Sequence, residues 1–125
     1  MQENEIAYKV IGAAIEVHKH LGPGLLESAY HTCLKRELNN SGIEYESEVP
    51  VVIQYKEEVI TEAYRLDMLV ENKLIVELKT VDKLSDKHKA QLLTYLRMSN
   101  KKPGLLINFN EIILKNGIKR IVNNL

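Results

Sequence analysis

Two carboxylates near the middle of the sequence could bind a metal ion, and a lysine lies close to them in the sequence. Asp67 is followed after nine residues by Glu77, and Lys79 comes two positions later. Carboxylate oxygens without histidine or cysteine suit Mg²⁺ or Mn²⁺ rather than zinc. The alternative is that Arg65 and Lys79, which flank the two acids, simply neutralise them on a solvated sheet face. The pattern by itself favours neither interpretation.

The hydrophobic pattern of the same region predicts how these residues are placed. Residues 64–70 and 74–79 alternate as strands do, and a loop at 71–73 would pair them with Asp67 opposite Glu77. A slip of one residue would turn Glu77 onto the apolar face, which a half-buried sheet does not allow. We therefore expect both carboxylates on one face, where their repulsion favours a bound cation. The other face is expected to hold Tyr64, Leu66, Met68, Val76 and Leu78.

The composition is that of a small globular protein. The 125 residues are 45% hydrophobic and 27% charged, and we expect one domain over residues 1–125. The net charge of zero argues against a protein that coats nucleic acid through bulk charge. Residues 1–80 nevertheless carry eight basic and fourteen acidic side chains, whereas residues 81–125 carry nine and three. The single cysteine and the lack of a long apolar run predict a cytoplasmic protein without a membrane segment.

The periodicity of apolar residues predicts two helices, a strand meander, a third helix and closing strands. Helices are expected at about 4–20 and 25–39, and a third helix with an N-cap among residues 82–85 is expected to reach about residue 99. The strands are expected at 51–55, 59–70, 74–79 and 105–109. Asn116-Gly117 predicts a type I′ hairpin turn between strands at 112–114 and 118–122. This order is typical of a mixed α/β layer structure.

Motifs along most of the chain resemble a known family. The segment Gly24-Leu25-Leu26-Glu27-Ser28-Ala29-Tyr30 is similar to the signature of the bacterial GxxExxY proteins, which are assigned to the PD-(D/E)XK nuclease superfamily. Asp67, Glu77 and Lys79 resemble the D-x(n)-E-x-K core of that superfamily. The similarity extends to residues 21–24, 55–56, 65–67, 91–96 and 104–109, with a departure at Asn110, where the family pattern has glycine.

The resemblance implies a restriction-endonuclease-like α/β fold, in which helices flank a mixed central sheet. It implies an enzyme that uses Mg²⁺ (or Mn²⁺) to hydrolyse phosphodiester bonds in nucleic acid. Three carboxylates and one main-chain carbonyl would hold the metal: Asp67, Glu77, Glu27 and Leu78. Lys79 would orient the attacking water or stabilise the charge on the phosphorane, and Gln91 would support the site by hydrogen bonding.

Two other functions stay open at this point. A non-catalytic module could keep the fold and bind a partner protein or nucleic acid, which the lack of a dominant basic surface favours. A homodimer could form between the acidic first part of one chain and the basic last part of another.

Basic residues near the third helix are candidates for substrate contact. Lys83 and Lys87 lie four apart, so we expect them to share a helix face and contact phosphates, while Lys89 points elsewhere. Arg65 is a further candidate beside the carboxylates. The four histidines form no cluster with metal-ligand spacing except the loose pair of His18 and His20, for which a surface or turn role is expected rather than a zinc site. Cys33 is expected to be a small buried hydrophobe.

Overall fold

Residues 1–124, which this computed structural model describes, fold into helices packed on both faces of a mixed sheet. The elements follow the predicted order. The helices are α1 (Glu3–Leu21), α2 (Glu27–Asn40) and α3 (Asp86–Met98), with a short 3-10 helix at Leu114–Gly117. The strands are β1 (Tyr45–Tyr55), β2 (Glu58–Val70), β3 (Leu74–Lys79), β4 (Pro103–Asn108) and β5 (Ile118–Val122). Within residues 1–124, no helix is both long and apolar enough to span a bilayer.

The sheet has the strand order β1-β2-β3-β4-β5. The pairs β1–β2, β2–β3 and β4–β5 are antiparallel, whereas β3 and β4 are parallel. A parallel pair needs a crossover connection, and α3 provides it. The α/β fold with a mixed sheet flanked by helices is therefore confirmed.

Two apolar clusters fill the space on either face of the sheet. The first joins α1 and α2 to the sheet, and among its members are Ile6, Tyr30, Leu34, Val76 and Leu78. The second joins α3 to the sheet, and among its members are Leu69, Ile75, Leu92, Leu96 and Leu106. Because β3 is covered on both faces, its side chains are buried throughout its centre. This burial is what removes Glu77 from water.

The prediction that one apolar face of the β2–β3 pair holds all five residues is wrong for the first half of β2. Met68, Val76 and Leu78 do share the α1/α2 cluster, but Leu66 belongs to the α3 cluster. Tyr64 also turns that way, with its ring centroid 6.0 Å from that of Tyr95 on α3. The regular alternation of side chains along β2 is therefore interrupted at Asp67, and Leu66 and Met68 point to opposite faces of the sheet.

The cause of this change lies in the neighbouring strand β1. Ser47 pairs with Met68 and Val49 with Leu66, but the pair between them, Glu48 with Asp67, is missing from the ladder. Glu48 has a φ of 54°, a left-handed conformation that is uncommon for residues other than glycine. A local twist of this kind re-aims the side chains around it, as bulges next to active sites do.

Two predictions about secondary structure need correction. β1 begins at Tyr45 rather than near residue 51, whereas α3 begins at Asp86 after Ser85, which is one of the predicted N-cap candidates. The predicted hairpin at Asn116-Gly117 is wrong, because these residues end the 3-10 helix and β5 pairs with β4 instead. Gly117 is needed there for close packing, since a Cβ atom would come within 2.7 Å of the Asn108 carbonyl oxygen. A tight turn and a close approach of two main chains both favour glycine, so the same sequence signal fits either structure.

Candidate active site

Asp67 and Glu77 lie level with each other where β2 and β3 begin to separate. The predicted register is confirmed for the three pairs Val70–Leu74, Leu69–Ile75 and Met68–Val76, and the next position holds the two acids. At Asp67 and Glu77 the main chains of β2 and β3 no longer pair with each other, and the two carboxylates form the hydrogen bonds between the strands instead. Glu77 Oε2 accepts from the Asp67 main-chain N–H at 2.7 Å, and Asp67 Oδ2 accepts from the Leu78 N–H at 2.8 Å.

Lys79 closes β3 next to these acids, and Asn108 fixes the segment that follows it. The Asn108 side chain is fully buried and bonds both main-chain groups of Val81, at 3.0 Å and 2.8 Å. The Phe109 N–H donates to the Lys79 carbonyl at 2.9 Å. These three bonds hold the carboxyl ends of β3 and β4 together. They position the half-buried Lys79 without engaging its ammonium group.

Glu27 is the first residue of α2, and Tyr30 determines where that helix begins. The Tyr30 ring is fully buried and stacks on Phe109 with centroids 4.6 Å apart. Its hydroxyl donates to the Gly22 carbonyl at 2.6 Å and accepts from the Leu25 N–H at 3.1 Å. The turn before α2 is thereby tied to the tyrosine. The spacing of glutamate and tyrosine in the motif thus has a structural cause.

The electrostatics show that the three carboxylates share one environment. Burial and then the Asp67 charge raise the pKa of Glu77 to about 8. Burial is also the main cause that raises the pKa of Asp67, and the Leu78 N–H opposes it. Burial and the Asp67 charge raise the pKa of the more exposed Glu27. The positive charge of Lys79 lowers the pKa of all three carboxyl groups.

Gln91 and Tyr95 lie one turn apart on α3, which packs on the face of the sheet opposite to α1 and α2. Burial and then the Glu77 charge raise the pKa of the Tyr95 hydroxyl to about 12, which places that hydroxyl near the carboxylate. Gln91 is half-buried. Arg65 is exposed, and its Nη1 donates to the Glu48 carbonyl at 3.3 Å.

The family comparison agrees with this geometry. The family model of the PD-(D/E)XK nuclease superfamily matches residues 4–121. The chain belongs to that superfamily. A crystal structure of the protein SSO0001 has the same fold, with 24% sequence identity and a TM-score of 0.54. The alignment covers 98% of this chain and 63% of that protein, so the chain spans less than two thirds of its length. No protein of curated function matches the chain.

Two further residues of this superfamily member lie at the site, and the sequence analysis did not assign them to it. Glu48 raises the pKa of Asp67 and of Glu27, so its carboxylate is close to both. The His31 charge lowers the pKa of Asp67. His31 lies one helical turn after Glu27, and that i, i+4 spacing was the available signal. Glu48 gave no such signal, because its side chain turns to the site through its left-handed backbone.

The donor set fits a divalent cation in its chemistry. Three acids in one partly buried place repel each other, and a cation relieves that repulsion. In each of the two paired acids, one carboxylate oxygen accepts a hydrogen bond from a main-chain N–H. The second oxygen, Asp67 Oδ1 or Glu77 Oε1, does not take part in that bond. Within residues 1–124, however, no three His, Cys, Asp or Glu side chains already converge as a metal centre in this conformation.

The predicted lysine pair does not form as expected. Because α3 begins at Asp86, Lys83 precedes the helix and does not share a helix face with Lys87. Lys83 instead lines one groove with Lys89 and Lys119, just beyond the carboxyl ends of β3 and β4. Asp82 and Glu111 line the same groove. The expectation that Lys89 points away from Lys83 is therefore wrong.

Proposed function

We propose that this chain is a nuclease that hydrolyses phosphodiester bonds in nucleic acid with Mg²⁺ or Mn²⁺. The observation that carries the proposal is the placement of Asp67 and Glu77. Glu77 is buried and Asp67 half-buried, they lie at one level of neighbouring strands, and the Lys79 charge lowers the pKa of both carboxyl groups. Membership of the PD-(D/E)XK superfamily supports the same reaction class.

The metal ligands in this proposal are Asp67, Glu77 and the Leu78 carbonyl, with Glu27 completing the set directly or through water. The bound metal supplies Lewis acidity toward the phosphate and lowers the pKa of a bound water. The protein supplies a fixed arrangement of acids. The hydrogen bond from the Leu78 N–H to Asp67 orients that carboxylate in advance, and such orientation is part of what a metal site needs from its surroundings.

Lys79 is the residue that we assign to the developing negative charge. The positive charge of Lys79 lowers the pKa of all three carboxyl groups, which supports a role for it toward a phosphate bound at the acids. A fixed cation in a partly buried site stabilises negative charge more than the same cation in water does. Gln91 supports the site from α3, and Arg65 is a candidate contact for a neighbouring phosphate.

The test is a cleavage assay on the purified chain with single- and double-stranded DNA and RNA. Mg²⁺, Mn²⁺ and EDTA are compared for the wild type, Asp67→Asn and Lys79→Ala. We expect cleavage with either metal, none with EDTA, and loss in both variants. Metal-dependent binding of nucleic acid without cleavage by the wild type would instead favour the non-catalytic module.

A further inference from the structure

A tyrosine with a half-exposed ring lies near the acids, on the face of the sheet that α3 covers. Tyr64 is on β2 three residues before Asp67, a separation of about 10 Å along a strand. Counted in the register that pairs Met68 with Val76, it comes one residue beyond the level of Lys79, the last residue of β3. Tyr64 is therefore at the end of the sheet where Lys79 and the acids are.

The Tyr64 ring packs against α3 on one side and remains partly open to solvent. Its centroid lies 6.0 Å from that of Tyr95, and the two ring planes are tilted by 52°. Tyr95 is buried, whereas 46% of Tyr64 is exposed. Burial, and then the charges of Glu77 and Tyr64, raise the pKa of the Tyr95 hydroxyl to about 12. Tyr95 is therefore within electrostatic range of both Glu77 and Tyr64.

The two-stranded ribbon that carries Tyr64 is uncovered from this point to its tip. All residues of β2 from 58 to 65 are exposed, because the pairing with β3 has ended. Three exposed glutamates lie between Tyr64 and the end of β1 at Tyr55, and their charges repel phosphate: Glu57, Glu58 and Glu62. We therefore expect nucleic acid to contact this ribbon at Tyr64 and not at its tip.

A half-exposed aromatic ring beside a site for phosphodiester hydrolysis fits one part of a nucleotide, which is its base. The phosphate and the sugar are polar, whereas every base has a π face that stacks on an aromatic side chain whatever the sequence. A base inside a duplex is already stacked on both faces, so a protein reaches the face of a base only where that base is unpaired or terminal. A ring in this position therefore selects by strandedness and not by sequence.

We propose that the Tyr64 ring stacks on a nucleobase adjacent to the scissile phosphate, and that the substrate is consequently nucleic acid with an unpaired base at the site rather than continuous duplex. This rests on the proposed function and names its substrate class. Single strands and the unpaired ends or branches of a duplex share this chemistry. Tyr64 holds and selects the strand in this role and does not contact the reacting atoms.

The experiment measures the coupling between the ring and one base. Single-stranded DNA and RNA oligonucleotides, each with one abasic position, are titrated with the full chain in Ca²⁺ and followed by fluorescence anisotropy. We expect one abasic position that lowers the affinity of the wild type by about fivefold or more. Tyr64→Ala should lose a similar factor on the intact oligonucleotide and nothing further at that position. Tyr64→Phe keeps the ring and should behave as the wild type does.

Tyr55→Ala is the matched control. Tyr55 is 59% exposed on the same ribbon, and the glutamates separate it from the site, so this variant should bind as tightly as the wild type. Equal losses at every abasic position in the wild type and Tyr64→Ala would overturn the stacking role. Equal affinity of the wild type for single strand and duplex would overturn it too. So would a change of sedimentation in both tyrosine variants without oligonucleotide, because the ribbon would then contact a second copy of the chain.

A cross-linking measurement on the unmutated chain keeps the test decisive even if Tyr64→Ala does not fold. Oligonucleotides that carry 5-iodouracil at successive positions are irradiated in the complex, and the cross-linked residue is identified by mass spectrometry. We expect a cross-link to Tyr64. Cross-links only to other residues would contradict the proposal.

The outcomes separate this inference from the proposed function. A wild type that cleaves nucleic acid in Mg²⁺ or Mn²⁺ but shows no coupling between base and ring overturns the role of Tyr64 and leaves the nuclease intact. Coupling without any cleavage supports the role of Tyr64 and overturns the nuclease in favour of a binding module. A wild type that binds no nucleic acid overturns both.

Discussion

Glu77 and Asp67 each bond to the main chain of the other's strand. Glu77 Oε2 accepts from the Asp67 N–H, and Asp67 Oδ2 accepts from Leu78, the residue after Glu77. These bonds continue the β2–β3 connection after the regular ladder has stopped at Met68. Two acids that would separate by repulsion are thereby held together. The stability of the protein without bound metal should consequently depend on the protonation of these two acids.

Stability without metal should fall as the pH rises. The folded state raises the pKa of Glu77 from 4.5 to about 8, so the folded protein binds more protons than the unfolded chain between these values. The contribution of Glu77 to the free energy of unfolding is then fully present below about pH 4.5, and it is lost as the pH rises through about 8. We expect the Tm in EDTA to fall over this range by at least about 4 °C.

Replacement of Glu77 tests the origin of that slope. Glu77→Gln keeps an acceptor for the Asp67 N–H but cannot ionise, so its Tm should depend less on pH. Glu57→Gln, in the exposed turn between β1 and β2, is the matched control and should keep the wild-type slope. If wild type and Glu77→Gln show the same slope, Glu77 is not the group responsible.

Metal should stabilise the folded chain through Asp67. A ligand that binds the native state at about 100 times its dissociation constant contributes about 2.7 kcal/mol. We expect saturating Mg²⁺ or Mn²⁺ to raise the Tm of the wild type at pH 8 by about 5–10 °C. Asp67→Asn should lose this response, and its metal-free Tm should equal or exceed that of the wild type. Equal responses in the two proteins would show that the ion binds elsewhere.

The sequence was sufficient to predict the paired acids because their placement depends on local pattern. The alternation of β2 and β3 and a three-residue loop at Glu71–Lys73 fix the register, and both are visible in the sequence. The same argument failed for Leu66, where it assumed that alternation continues through Asp67. The interruption comes from Glu48 on another strand, and nothing in the sequence marks that residue as left-handed.

The other errors have a similar cause. Asn116-Gly117 is a strong local signal for a hairpin turn, but tertiary packing against Asn108 decides the conformation of Gly117. Lys83 was expected to share a helix face with Lys87 because the two lie four apart, but among the candidate caps at 82–85 Ser85 forms the cap, by accepting from the His88 N–H at 3.3 Å, so Lys83 precedes α3. Competition between two suitable capping residues is not resolved by residue type.

Cleavage should depend strongly on Lys79. Its charge lowers the pKa of the three acids, and its ammonium forms no ion pair among residues 1–124, so its removal takes away a charge rather than a structural bond. We expect Lys79→Ala to lower the cleavage rate by about 10²-fold or more while Mn²⁺ affinity changes little. Lys115→Ala, at an exposed position of the 3-10 helix, is the control and should cleave normally. Comparable losses in both variants would count against a specific role.

The Tyr30 hydroxyl should contribute to stability and to the position of Glu27. Tyr30→Phe keeps the ring stacked on Phe109 but removes both bonds to the turn at Gly22 and Leu25. We expect a loss of about 1–3 kcal/mol in the free energy of unfolding, measured by urea titration. Tyr8→Phe, on the exposed face of α1, should have no effect. A Tyr30→Phe protein as stable as the wild type would show that the turn is held by other contacts.

The groove of Lys83, Lys89 and Lys119 should hold the phosphates of the nucleic acid. Asp82 follows Val81, which Asn108 fixes beside the end of β3, so the groove starts within a few residues of Lys79. Each lost phosphate contact should lower the slope of log affinity against log salt by about one unit. We expect Lys83→Ala/Lys89→Ala to lose about two units and Lys87→Ala to lose none, since Lys87 does not line the groove. The affinity is measured in Ca²⁺ between low and moderate salt, so that binding is observed without cleavage. An unchanged slope in the double variant would show that the substrate binds to another surface. A lower slope in Lys87→Ala alone would instead favour the sequence-based prediction that Lys87 contacts phosphate.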